Sequence, residues 1–90
     1  MNVRNLISGA QFRRDVKLAK RRGKDMSKLR EVITLLAEGS RLPPWRKDHP
    51  LRGGWKHHRD CHVEPDWLLI YKIDGQDLYL VRTGTHADLF

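Results

Sequence analysis

One cysteine, Cys61, is all that the 90 residues contain. No disulfide can form within the chain, so a packed core has to hold it, as suits the reducing cytosol. Long apolar runs are missing too. The longest, "WLLIY", falls far short of the ~20 residues that cross a bilayer, and the opening "MNVRNLISGAQFRRD" lacks the ~7–15 apolar residues of a signal peptide. A membrane-embedded or exported protein is thereby excluded and a cytoplasmic one expected. Acidic residues are also scarce. Eleven Asp and Glu stand against eighteen Lys and Arg, a net charge of +7, which attracts polyanions and makes nucleic acid the expected partner. A merely soluble basic protein is the bland alternative. With no internal repeat and no low-complexity tract, residues 1–90 read as one small domain, which buries roughly 60–65% of its unfolded surface.

What the chain does have is punctuated periodicity. After "NVRNLI", a candidate edge strand, Ser8 and Gln11 have the spacing of a reciprocal helix-start cap. Phe12, Val16 and Ala19 form one apolar stripe, and Gly23 ends it. Asp25 caps a second helix with Met26, Leu29, Ile33 and Leu36 on one face, closed by Gly39. The two helices predict an antiparallel hairpin. Residues 40–54, "SRLPPWRKDHPLRGG", hold three prolines and two glycines and predict a long irregular loop, with Leu42 and Trp45 tacking it down. The last third predicts three antiparallel strands, over residues 55–63, 67–73 and 78–84, joined by "EPD" and "DGQ". In the middle strand Trp67, Leu69 and Tyr71 line one face and Leu68 and Ile70 the other, so both faces need cover. The helix hairpin covers one. The long loop and the C-terminal segment must cover the second, which brings His49 and His86 toward one place.

Five histidines raise the question of a metal. His58 and His62 share a face if residues 55–63 are a strand, but sit about 13 Å apart, too far for one ion, and Cys61 and His62 point to opposite faces. No metal ligand set and no cofactor is expected. Cutting RNA through its own 2′-hydroxyl suits these residue types better, since it needs only a base, an acid and cations around the phosphate. Histidine serves as either base or acid near neutral pH, and arginine offers phosphate a planar fork of donors.

The stretches "KDHPLRGGWKHHRDCHVEPDWLLIYKI" and "RTGTHADLF" closely resemble the YafQ branch of the RelE/ParE superfamily of bacterial toxins. "DVKLAKRRGKDMSKLREVITLL" resembles that family's helix hairpin, so the likeness covers nearly the whole chain. It implies an α+β, RelE-like fold, an N-terminal helix hairpin packed on one face of a small antiparallel sheet to which the first segment also pairs. It implies a type II toxin, a ribosome-dependent endoribonuclease that cuts mRNA in the ribosomal A site and leaves a 2′,3′-cyclic phosphate. By matching motif, His49, His62, Asp66 and His86 fall on acid–base positions, with His86 and Asp66 as the principal pair, and Arg82 on the phosphate-contacting arginine. Trp67 and Phe90 match aromatics that stack at or shape the site, although Trp67 reads equally as core.

Arg13, Arg14, Lys17, Lys20, Arg21, Arg22 and Lys24 offer a surface for ribosomal RNA, held through its phosphates. The same surface suits the partner that the resemblance implies, an acidic, partly disordered antitoxin whose complex with the toxin binds operator DNA. Two other readings stay open: a binding-only or gyrase-targeting relative, and an RNase that needs no ribosome.

Overall fold

The apolar stripes become the buried faces of two helices in the computed structural model, which describes residues 3–90. Helix α1 is Ala10–Arg21 and α2 is Met26–Ala37. Phe12, Ala19, Leu29 and Leu36 are buried, and so is Val32, which the expected stripe omitted. Asp25 accepts the Ser27 backbone N–H at 2.9 Å, as its capping role requires. Gly23 and Gly39 stop the helices at φ +79° and +74°, a conformation that costs other residues steric strain.

The Ser8–Gln11 cap does not form. Gly9 is the N-cap of α1 without a side-chain bond, because Ser8 ends a strand, β1 (Asn5–Ser8), where it is partnered with Leu80. Gln11 donates instead to Asp15. The other strands are β2 (His49–Pro50), β3 (Arg59–Glu64), β4 (Trp67–Asp74) and β5 (Asp77–Gly84), and the five-stranded sheet runs β1-β5-β4-β3-β2. β1 runs parallel to β5 while the other pairs are antiparallel, so the sheet is mixed rather than wholly antiparallel. The α+β architecture otherwise stands as expected. No helix among the described residues is long and apolar enough to cross a membrane.

The loop of residues 40–54 is more ordered than its prolines suggest, with 3-10 turns at Pro44–Arg46 and Gly53–Trp55 and the short β2. β3 starts at Arg59, not at Trp55, and His57 lies in the left-handed region at φ +72°. His58 therefore stands outside the strand on which its shared face with His62 rested.

Each sheet face has its own core. Cys61, Val63, Trp67, Leu69, Tyr71, Leu78 and Leu80 pack beneath the helices. On the second face Leu68, Ile70 and Leu89 are buried, with Leu51, Trp55 and Val81 against them. Loop and C-terminal segment thus do cover this face. The C-terminal cover is helix α3 (His86–Leu89), capped reciprocally by Thr85 and Asp88.

Candidate functional site

Strand alternation assigns the side chains. Asp60 pairs with Ile70 and His62 with Leu68, both on the second face, whereas Cys61 pairs with Leu69 on the helix face. A bulge between His62 and Glu64 then reverses the alternation. It turns Glu64 to the helix side, where Lys24 and Lys28 bond it at 3.1 and 2.9 Å. The Arg46 guanidinium donates to the His62 and Val63 carbonyls at this bulge, at 3.2 and 3.1 Å.

His86 opens α3, and Asp66, in the turn between β3 and β4, takes both its backbone N–H at 2.9 Å and its ring Nδ1 at 2.6 Å. Those two bonds, the backbone one first, hold the Asp66 carboxyl below the usual carboxylate range. The His62 ring centroid lies 5.7 Å from that of His86, and its Nδ1 is 3.1 Å from the Pro65 carbonyl. His49 Nδ1 is 2.6 Å from the Lys47 carbonyl. Carbonyls and carboxylates only accept, so each Nδ1 carries the hydrogen and each neutral ring keeps Nε2 as a free acceptor. Three imidazoles thus present the same atom for proton transfer.

Beneath them lies Asp60, 4% exposed. His49 Nδ1 approaches its Oδ1 to 3.1 Å, but the ring hydrogen is directed at the Lys47 carbonyl, and Oδ1 receives no hydrogen bond among the described residues. Burial pushes the Asp60 carboxyl up, and His49, His62 and His86 each pull it partly back. A buried carboxylate short of donors offsets positive charge as it forms on the rings above it. Sequence reading missed Asp60. The only signal was its place two residues before His62 on a strand, where side chains share a face.

Arg82 is less free than expected. Its Nε and Nη2 donate to Asp15 of α1 at 2.7 and 3.3 Å. Asp15, 7% exposed, also accepts the Thr83 N–H at 3.1 Å. It sits at the edge of β5 just beyond Ser8, where β1 ends, and satisfies a ladder donor that β1 does not reach. Asp15 is a second missed residue.

Trp67 does not stack at the site. It is 1% exposed on the helix face, its indole N–H 2.9 Å from the Thr83 hydroxyl. Phe90 is 59% exposed, and the neighbouring Leu89 is what seals the second face. Of the basic residues, Arg22 is paired with Asp88 and Lys24 with Glu64. Arg13 and Arg14 bond locally to Ser8 and Gln11. Lys17, Lys20 and Arg21 stand exposed on α1.

Known proteins share this sequence and fold. The chain is 53% identical over 91 residues to the mRNA interferase toxin YafQ of Escherichia coli strain K12, covering 100% of this chain and 99% of that one. Its fold matches the crystal structure of YafQ from E. coli BL21(DE3) with a TM-score of 0.92 at 52% identity, covering 97% and 98% of the two chains. It also matches the toxin in the E. coli DinJ-YafQ toxin-antitoxin complex with a TM-score of 0.90 at 53% identity, covering 97% of each chain. The family described as "Bacterial toxin of type II toxin-antitoxin system, YafQ" matches residues 4–90, and the chain belongs to that family.

Proposed function

We propose that this protein is a ribosome-dependent endoribonuclease that cuts mRNA in the ribosomal A site and so halts translation. The observation that carries the reading is the His86–Asp66 pair at 2.6 Å beside His62 and above the buried Asp60. One imidazole Nε2 takes the proton of the 2′-hydroxyl. The 2′ oxygen attacks phosphorus, the bond to the 5′ oxygen breaks, and a protonated imidazole gives that oxygen its proton. The products are a 2′,3′-cyclic phosphate and a 5′-hydroxyl. His86, oriented by Asp66, is the principal proton-transfer group, with His62 and His49 aligning and neutralising charge. Arg82 meets the phosphate through Nη1, the nitrogen that Asp15 does not occupy. No step passes through a metal ion.

Docking on the ribosome falls to the exposed cations of α1, because phosphate contacts dominate such affinity. The E. coli toxin that this chain resembles is 53% identical and forms a complex with DinJ. That likeness supports a cognate acidic antitoxin here, with operator DNA bound through the complex. The substrate implies work in the cytoplasm.

The test maps breaks in mRNA on programmed ribosomes, at constant free magnesium with and without a chelator selective for transition metals, for the wild type and His86→Ala. Codon-phased breaks that survive chelation and vanish in His86→Ala are expected. Intact mRNA with the wild type would end the enzyme reading, equal cutting of naked RNA would end the ribosome requirement, and loss on chelation would end the metal-free chemistry.

A further inference from the structure

Trp45 stands 59% exposed in the loop between α2 and β2. It does not hold that loop down. Leu42 is buried, and the Arg46 guanidinium, in a residue only 4% exposed, already ties the segment to β3. Arg46 also lies 4.1 Å from the indole ring, a cation–π contact that fixes how the ring is presented. The Lys47 N–H closes this turn on the Pro44 carbonyl at 3.0 Å, which sets Trp45 and Lys47 close together.

The indole borders a hollow of about 160 Å³ whose other walls are Lys47, His62, Glu64 and Pro65. That is below the ~300 Å³ at which sites for drug-sized ligands begin, and it suits one planar ring system. His62 joins this hollow to the candidate site, since the same imidazole lies beside His86. Glu64 brings little free negative charge to the wall, because Lys24 and Lys28 bind its two oxygens.

We propose that Trp45, Lys47 and His62 form a nucleobase subsite next to the scissile phosphate. An unpaired base of single-stranded RNA stacks on the indole, and the Lys47 ammonium meets a flanking phosphate. The inference rests on the RNA-cleaving reading and names the part of the substrate that this end of the site holds.

Trp45→Ala and Trp45→Phe are compared with the wild type by mRNA cleavage on programmed ribosomes, scored as kcat/KM and as the distribution of break positions. Wild-type cleavage reports on the enzyme reading, and the ratio of variant to wild type reports on the subsite. Trp45→Ala is expected to lower kcat/KM roughly five- to 150-fold, the loss of one base–aromatic stack. It is also expected to change the preferred break positions, with Trp45→Phe recovering most of both. Thermal midpoints should match, because the ring is exposed. Unchanged rate and positions in Trp45→Ala would overturn the subsite and leave the enzyme reading intact. A fall equal at every codon would overturn it in favour of ribosome docking, and loss of antitoxin binding alone would overturn it in favour of a protein partner. If the wild type cuts no mRNA, the enzyme reading fails and the subsite falls with it.

Discussion

Asp88 reaches back past Gly84 to grip Arg22, with its Oδ2 and Oδ1 at 2.6 and 3.3 Å from Nη1 and Nη2. The same carboxylate accepts the Thr85 N–H at 2.9 Å. A four-residue helix such as α3 has no stability of its own. Its hold on the body is this latch, the Leu89 contact and the His86–Asp66 bonds. Gly84 makes room for it, since a Cβ there would stand 2.9 Å from Asp88 Oδ2. Asp88→Asn and Gly84→Ala are therefore expected to cut cleavage several-fold with only a small change in thermal midpoint. Amide exchange over residues 85–90 should quicken in both. Full activity in Gly84→Ala would show that the latch does not position His86.

The latch also has a pH signature. Arg22, and after it the Thr85 N–H, hold the Asp88 carboxyl well below the usual carboxylate range. A depressed folded pKa contributes stability that is fully present above the unfolded value, about 3.9, and is lost as pH falls through the folded one. Order in residues 85–90 should persist to pH 4 and decline below it. Asp88→Asn should show the looser state already at neutral pH, with no further acid step from this group. Proton-exchange or NMR measurements along a pH series decide this.

Asp60 carries the opposite sign. Its folded pKa is raised, chiefly by burial, so its charge costs stability at neutral pH, and the cost fades as acid protonates it. Asp60→Asn should therefore raise the thermal midpoint at pH 7, with a gain that shrinks toward pH 4. Cleavage should fall in the same variant, because the counter-charge beneath the three imidazoles is gone. A variant both less stable and fully active would contradict both parts.

Asp15→Ala leaves the Thr83 N–H and the Arg82 fork without their acceptor. Losing the partner of a buried donor typically costs about 1–3 kcal/mol, readable as a lower midpoint in urea. Cleavage should drop beyond what that loss explains, since Arg82 is no longer aimed. In the otherwise unchanged chain Arg82→Lys should also lower cleavage, because an ammonium cannot reproduce the two bonds to Asp15.

Lys17, Lys20 and Arg21 make no side-chain bond among the described residues, so reversing them to glutamate should leave the midpoint nearly unchanged. Ribosome-dependent cleavage should weaken, and its salt dependence should become shallower as phosphate contacts are removed.

Local rules made much of this legible in advance. Gly23, Asp25 and Gly39 act through their own backbone or that of near neighbours, and "DGQ" sets a tight turn by itself. The doubly apolar β4 announced a sheet covered on both faces and so drew His49 and His86 together. Features that depend on distant partners were not legible. Ser8 could cap a helix by spacing alone, but pairing with Leu80 claimed it for a strand. Asp60 is flanked by His49 of β2 on one side and Ile70 of β4 on the other, and neither is written near residue 60. Arg82 is held by a residue 67 positions away. Trp67 matched a site motif, yet the strand's alternation placed it beneath the helices.

The parallel pairing of β1 with β5 also bears on how the chain folds. Asn5 and Asp77 meet across 72 residues, whereas β3, β4 and β5 follow one another through tight turns. Loop-closure entropy makes that long-range pairing the costly step, so the local meander is expected to form ahead of it. β1 leads directly into α1, which supplies Asp15 to Arg82 and Arg22 to Asp88. The strands and loops that carry His49 and His62 can therefore assemble while the groups that aim Arg82 and secure α3, with its His86, are still absent. Nuclease competence should then be the last property the chain acquires, and the first it gives up when β1 comes away.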